Sequence, residues 1–476
     1  MAFKSTEITQ EYIASLVERS RKAQRYFEAN YKDQRSIDEV VHAIGVGVLD
    51  NAEELCAAAV SETGMGTIEG KKKKLIMVAG SHWKNCRGHQ SVGYIDSPIE
   101  PGVRYMYKPL GVIGAVMPST NPIATIIGNA MICFKSRNSI IVAPHPGSAK
   151  VSENTIEILR KALKKVGAPE DLLLGVSHEQ SCIEATNELM RQCDVNIGTG
   201  GRGMVKAVYS SGRPGFGVGQ GNCQELIDTD IEDARYYEIA AKTVANRSFD
   251  NGVPCTSDQT IYIPEDKEKL WVEACEKAGA YIMFDKAEID ALRELVFPNG
   301  GTTINREVVG RLPSQIGKML GIEIPETAQA IVFKNQAWGD ADVMCREILC
   351  PIMRYTTYQT FEEACEHAVE TLYVEGAGHS ASIWSYNQEH IDYFADLCPV
   401  GRLHVNQPTC GLGNGLWGTI TIGCGSWGNN SISENLTWFH LCNKTKVSTV
   451  LPNLRPYDII KEFDNYEPWK VTLDEN

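Results

Sequence analysis

The residues best suited to chemistry lie at positions 246–259, in the stretch N-R-S-F-D-N-G-V-P-C-T-S-D-Q. Gly252 and Pro254 impose a bend between a helix-like run at 231–245 and a strand-like run at 260–264, and such a bend presents the side chain that follows it, Cys255. A thiol there is a nucleophile if backbone N–H groups or a cation favour its thiolate, and Arg247 is the cation nearest in sequence. The competing reading is an inert core thiol, the ordinary fate of any one of 15 cysteines. Three more stretches carry similar punctuation: V-M-P-S-T-N-P at 116–122, G-T-G-G-R-G-M-V-K at 198–206 and E-I-L-C-P at 347–351. Taken singly, Asn121 reads as a turn residue before Pro122, T-G-G-R-G as a turn, Glu347 as a surface acid at a helix end and His379 as a structural histidine.

In order along the chain, these motifs are joined by S-F-D-N-G-x-x-C, by Y-S-S-G-x-x-x-x-G-V-G-x-G-N at 209–222, by G-A-G-H-S at 376–380 and by G-C-G-S-W-G-x-N-S-x-S-E-N at 423–435. The set resembles the aldehyde dehydrogenase superfamily over nearly the whole chain, and more closely its CoA-acylating branch. The resemblance implies an α/β fold with two Rossmann-like domains and a small β oligomerisation element. It implies that Cys255 adds to an aldehyde to give a thiohemiacetal, and that the Asn121 amide and the Cys255 backbone N–H hold the oxyanion. Hydride loss to a nicotinamide would then leave a thioester. Pro118, Ser119, Thr120, His145, Gly201, Arg202, Gly219, Glu347 and Ile422 are the implied cofactor contacts, with Glu347 on the nicotinamide ribose. His379, typical of the acylating branch, is implied as a proton shuttle during thiol attack.

Two departures from the hydrolytic pattern carry information. Where hydrolytic members have E-L-G-G-K, residues 218–222 read V-G-Q-G-N, so Val218 replaces the water-activating glutamate and the thiol of coenzyme A becomes the expected acyl acceptor. Where many have K-P-S-E, residues 143–147 read A-P-H-P-G. The carboxylate that would repel a 2′-phosphate is missing, His145 or Arg202 could favour one, and NAD and NADP both stay open. Acetaldehyde and sulfoacetaldehyde are the candidate substrates. A sulfonate needs a fixed cation, for which Arg247, Arg354 and Arg402 qualify by type. The alternatives are a hydrolytic aldehyde dehydrogenase and a non-catalytic structural protein retaining the fold.

The elements that must position these residues follow from pattern. Apolar residues recur at helical spacing over 8–29, 37–49 and 52–63, and the hairpin-like runs 91–95 and 103–108 follow. Between 111 and 250 strand-like and helical runs alternate, the mark of β-α-β units whose nucleotide site lies at the strands' carboxyl ends. The alternation resumes after Cys255 without a linker of biased composition. The expected division is 1–90 and 110–245 for cofactor binding, 246–435 for catalysis, 91–109 and 436–452 for oligomerisation, and 453–476 as a tail. The run 446–451 is expected beside the hairpin, in a homodimer or homotetramer.

Composition narrows the class. At 476 residues with 43% apolar content the chain can bury more than one core, and a net charge of −14 argues against a general nucleic-acid binder. The cysteines contain no C-x-x-C pair for zinc or redox chemistry, which fits a reduced, cytoplasmic protein. No signal peptide and no membrane span is expected. The K-K-K-K run at 71–74 reads first as solvated surface and second as an attractor of nucleotide phosphates.

Overall fold

The computed structural model describes residues 6–410 and 415–451. The expected tail at 453–476 lies outside the described residues. Four helices open the chain: α1 (Thr6–Asn30), α2 (Gln34–Leu49), α3 (Ala52–Thr63) and α4 (Ile68–Cys86). The first three match the periodic runs, and their apolar faces, such as Ile13 and Phe27 of α1 or Ile37, Val41 and Ile44 of α2, are buried. In α4 the lysine run divides by helical phase. Lys71 and Lys74, three residues apart, turn inward at 5% and 7% exposure. Lys72 and Lys73 remain on the surface, paired with Glu53 and Glu69. The expectation of a solvated run is therefore corrected for Lys71 and Lys74, because a run of like charge on a helix has an inner face as well as an outer one.

After the antiparallel pair β1 (Tyr94–Asp96) and β2 (Val103–Pro109), a five-stranded parallel sheet forms from β3 (Val112–Val116), β4 (Ser139–Ala143), β5 (Leu173–Gly175), β6 (Val195–Thr199) and β7 (Gly215–Val218). Its order is β5-β4-β3-β6-β7, with α5 (Pro122–Lys135), α6 (Ala149–Lys165), α7 (Ile183–Gln192) and α8 (Arg202–Tyr209) as crossovers. Every residue of β3, β4 and α5 is buried. A helix apolar on all sides belongs inside, and each large aliphatic side chain so covered contributes about 1.5–3 kcal/mol. Lys135 closes α5, its Nζ 2.6 Å from Asp38 Oδ1, a cation placed at the negative end of the helix dipole.

The second sheet has seven parallel strands: β8 (Cys223–Ile227), β9 (Asp258–Pro264), β10 (Ala280–Met283), β11 (Ala330–Lys334), β12 (Ile352–Tyr358), β13 (Gly378–Trp384) and β14 (Val400–Val405). They run β10-β11-β12-β9-β8-β13-β14, flanked by α9 (Asp233–Ser248), α10 (Glu268–Lys277), α11 (Lys286–Val296), α12 (Pro313–Leu320), α13 (Phe361–Val374) and α14 (Gln388–Leu397). The chain thus enters this sheet at Cys223, and the expected boundary at 245/246 falls inside its β8-α9-β9 crossover. C-Q-E-L-I hides its strand character because Gln224 and Glu225 are buried polar groups: Tyr262 Oη donates to Gln224 Oε1, and Thr243 Oγ1 and Trp384 Nε1 donate to Glu225 Oε1. The last strand, β15 (Cys442–Ser448), pairs antiparallel with β2 in register Cys442↔Pro109 to Ser448↔Val103, starting four residues before the expected run at 446.

Between α9 and β9 the chain makes the bend that carries Cys255. Asp250, Asn251 and Gly252 have φ of 47°, 55° and 70°, three left-handed residues in succession. A Cβ on Gly252 would stand 2.5 Å from the carbonyl carbon of Cys350. Gly252→Ala is expected to lower the unfolding midpoint and the activity together, since left-handed strain of roughly 1–2 kcal/mol adds to a backbone overlap. Thermal melting of the two proteins side by side checks this, and an unchanged midpoint would contradict the close approach.

Candidate active site

The bend is held from three sides. From α4, Lys74 Nζ reaches Asp250 Oδ2 at 2.6 Å and Lys71 Nζ reaches it at 3.3 Å, while the Thr67 backbone N–H donates to Asp250 Oδ1 at 3.0 Å. From the 347–351 loop, the buried guanidinium of Arg247 donates to the carbonyls of Ile348, Cys350 and Ile352 and to Ser257 Oγ. Arg247 is spent on backbone oxygens, so the expectation that it serves the Cys255 thiolate gives way to a bracing role. From the first sheet, the turn after β7 comes so close that a Cβ on Gly221 would lie 2.1 Å from the Cys255 carbonyl oxygen. Cys255 therefore stands where the two sheets meet.

Around it lie the carboxyl ends of the first sheet. The loop after β3 carries Pro118, Ser119, Thr120 and Asn121; the loop after β4 carries His145; the turn after β6 carries Gly201 and Arg202; β7 ends on Val218 before Gly219. The sheet reverses its winding at β3, the place where open parallel sheets form a crevice. A Cβ added to Gly201, Gly203 or Gly219 would meet no atom within 4 Å, and none of the three has positive φ, so the packing of the chain itself does not call for glycine there. That free space suits a dinucleotide approaching the backbone and the N-terminus of α8. His145 accepts from the Gly147 N–H through Nδ1, which leaves its Nε2 to carry the proton. Arg202 donates to the Val374 carbonyl. Ile422 sits in an isolated antiparallel bridge with Asn435.

Asn121 occupies the N-cap position of α5 without capping it: its side chain accepts nothing from the first turn. Instead Oδ1 accepts from Lys74 Nζ at 2.5 Å, and the other end of the amide, Nδ2, has only a long 3.4 Å contact with the neighbouring Thr120 Oγ1. A turn residue would use its carbonyl on the backbone. This one gives its carbonyl to Lys74 and leaves its amide N–H pair without a close acceptor among the described residues.

Glu347, 7% exposed, accepts from the Gly221 N–H at 2.8 Å, while its own backbone N–H donates to Glu375 Oε2 at 2.6 Å. Burial first, then the charge of Glu375, raises the Glu347 carboxyl to about 8. Cys255 in turn is pushed up to about 12 by burial and by the Glu347 charge, with Arg402 as the opposing cation. Cys255 is therefore a thiol near the Glu347 carboxyl, and the cation that opposes its upward shift is Arg402 rather than Arg247, the nearest in sequence. Arg402, one of the cations considered by type, spends its donors on the carbonyls of Gly378, His379 and Gly423, on Ser380 Oγ and on Asn435 Oδ1. Arg354 is fully buried and donates to Asn222 Oδ1. His379 is buried as well, held near 3 by burial and by Arg402, and hence neutral; its Nδ1 lies 3.9 Å from Cys223 Sγ, whose thiol points at the Cys255 carbonyl at 3.5 Å. It stands one residue behind the nucleophile.

Sequence reading missed Lys74, Asp250 and Gly221. Lys-x-x-Lys on a helix beginning at an N-capping Thr67 was the available signal for the first, since i and i+3 share a face. Among the described residues no cluster of His, Cys, Asp and Glu is arranged to hold a metal, and no helix is long and apolar enough to cross a membrane.

Comparison with known proteins agrees with this geometry. Residues 2–290 and 327–418 match the model of the aldehyde dehydrogenase family. A succinate-semialdehyde dehydrogenase (acetylating) from Clostridium kluyveri is 42% identical over 440 residues, 91% of this chain and 95% of the relative. A sulfoacetaldehyde dehydrogenase from an Acholeplasma species is 34% identical over 460 residues, covering 94% of this chain and 92% of that one. Among solved structures, an acetylating aldehyde dehydrogenase from Geobacillus thermoglucosidasius superposes with a TM-score of 0.89 at 31% identity, over 95% of this chain and 100% of the other.

The charge relation between Glu347 and Cys255 gives a prediction with a definite sign. Glu347→Gln removes a negative charge beside the sulfur, so the thiolate is favoured and alkylation of Cys255 by iodoacetamide should speed up several-fold at pH 9, above the Glu347 titration near 8. At pH 6, where the carboxyl is already protonated, the two proteins should react at similar rates. A slower reaction of the variant at pH 9 would show that Glu347 does not oppose the thiolate.

Proposed function

This chain belongs to the aldehyde dehydrogenase family, and we propose that its geometry performs the CoA-acylating reaction: aldehyde, coenzyme A and NAD(P)+ give acyl-CoA and NAD(P)H. The observation that carries the acyl transfer is Val218, only 2% exposed at the end of β7, where a hydrolytic enzyme needs a carboxylate to activate water. The relatives named as acetylating support the same reading.

The Cys255 thiol gives up its proton to solvent, its sulfur bonds to the aldehyde carbon as the C=O π bond opens, and the carbonyl oxygen becomes an oxyanion held by Asn121 Nδ2 and the Cys255 backbone N–H. A bound nicotinamide supplies the acceptor for the hydride that leaves this carbon. The carbon is then a thioester carbonyl on Cys255. With Val218 offering no base to water, the thiolate of coenzyme A adds to it, the Cys255–carbon bond breaks, and acyl-CoA departs. Pro118, Ser119, Thr120, His145, Gly201, Arg202, Gly219 and Ile422 form the rim assigned to the nicotinamide dinucleotide, with Glu347 on the ribose. His379, neutral and buried beside Cys223, is assigned the proton shuttle during thiol attack. The substrate is a short aldehyde. Acetaldehyde and sulfoacetaldehyde are candidates from the motifs, and the relative of 42% identity adds succinic semialdehyde. The three-stranded sheet of β1, β2 and β15 is assigned to homo-oligomerisation, and 15 free cysteines fit a reducing cytoplasm.

Mixing enzyme, aldehyde and nicotinamide without coenzyme A should give a burst of reduced cofactor no larger than the concentration of Cys255, and adding coenzyme A should restore steady turnover. Sustained release of free acid without coenzyme A, at a comparable rate, would return the chain to the hydrolytic reading. Cys255→Ala should abolish the burst while nucleotide binding, followed by fluorescence, persists. Asn121→Ala should lower turnover roughly 100-fold, the usual cost of one oxyanion donor.

A further inference from the structure

We infer that Lys74 is a positioning residue for the reaction: by holding Asn121 Oδ1 with a hydrogen bond, it turns the amide so that Nδ2 faces the oxyanion. The inference rests on the oxyanion role proposed for Asn121.

The two ends of an asparagine amide have nearly the same shape, and what stands beside each decides which is which. An ammonium has donors only. Lys74 Nζ, 2.5 Å from the amide, therefore admits the oxygen and excludes the NH2 group. With Oδ1 so engaged, Nδ2 must lie on the opposite side. Its long contact to Thr120 Oγ1 leaves it a donor to give. The helix cap could have fixed the side chain instead, but Asn121 makes no capping hydrogen bond.

Lys74 is itself fixed. Its Nζ lies 2.6 Å from Asp250 Oδ2 in a buried pair and 5.9 Å from the centre of the Phe249 ring, so the same ammonium touches the loop of the nucleophile and the donor that serves its oxyanion. The groups around it are Asp250, the second lysine Lys71 and the Cys410 thiol, on which the charge of Lys74 bears. The Lys74 ammonium lies against Asn121 within this buried cluster, where burial and Lys74 itself disfavour a second charge on Lys71. An N–H dipole polarised by that charge donates more strongly to an oxyanion than to a neutral carbonyl, which is the preference that lowers a barrier. A lysine that braced the loop alone would need no contact with Asn121, and Lys71, which makes no hydrogen bond to Asn121 among the described residues, illustrates that case.

The test is a double-mutant cycle on the full-length enzyme, reading kcat for aldehyde oxidation and nicotinamide affinity by fluorescence titration. Lys74→Met should lose roughly 10- to 100-fold in kcat with nicotinamide affinity within about threefold of the parent. In the Asn121→Ala background the same substitution should cost less than about threefold, because the amide it orients is gone. Losses that multiply, with Asn121→Ala itself strongly impaired, would overturn the inference and leave the oxyanion assignment standing. Asn121→Ala within threefold of the parent would overturn the oxyanion assignment and this inference with it. If Lys74→Met gives no cooperative melt, Lys74→Gln takes its place in the cycle: its amide can still donate to Oδ1 and carries no charge. Coupling to Asn121 is again expected, and independent losses again count against it.

Discussion

Asp250 is the residue from which the active site hangs. It is 3% exposed, lies in the left-handed region and begins three such residues in a row, a conformation that costs the two non-glycine members roughly 1–2 kcal/mol each. The cost is offset by two lysines and a backbone N–H converging on one carboxylate. Breaking a buried pair of this kind typically costs about 3–5 kcal/mol, because the remaining charge is left without its partner. Room for the carboxylate is made by two glycines of the opening helical region. A Cβ on Gly66 would lie 2.0 Å from Asp250 Oδ1, and one on Gly70 would lie 2.9 Å from its Cα. The bend that presents Cys255 is thus buttressed by a helix that begins with Ile68.

From that clamp the remaining geometry follows by contacts at backbone level. Gly252 lies against the Cys350 carbonyl, Arg247 gathers three carbonyls between 348 and 352, and Gly221 lies against Cys255. Asn222 completes the junction, donating to the carbonyls of Cys345 and Glu375 and accepting from Arg354. Backbone contacts of this closeness leave little freedom for the sulfur to move relative to the crevice of the first sheet. Preorganisation of this sort lets a hydrogen-bond donor serve a charge that exists only in the transition state.

The electrostatics are divided across the site. On the side of Asn121 stand Lys71 and Lys74 with one carboxylate between them. On the side of the 347–351 loop stand Glu347 and Glu375, close enough that each raises or restrains the other, and their burial keeps a proton on Glu347 to about pH 8. A lysine ammonium therefore lies against Asn121, while the acids near the Cys255 thiol resist ionisation.

The sequence by itself determined the class of the fold and marked the Cys255 bend and the loops that surround it. Strand runs such as 139–143 and helical runs such as 52–63 are visible because complete burial leaves an unbroken apolar run and one-sided burial leaves a period, and glycine and proline mark turns wherever they stand. Val218 was equally legible, since an apolar residue in a place that needs a base is informative without coordinates. Tertiary structure alone decided which polar residues go inside. Lys71 and Lys74 resembled a solvated run, Arg247 resembled a partner for the thiolate, and Gln224 and Glu225 disguised a strand of the second sheet. In each case the residue is buried because a specific partner waits there: Asp250, three carbonyls, Tyr262 and Trp384. Those partners lie tens to hundreds of residues away in the chain. A one-dimensional pattern records how apolar a residue is, but the partner that makes a buried charge tolerable is brought to it only by the fold.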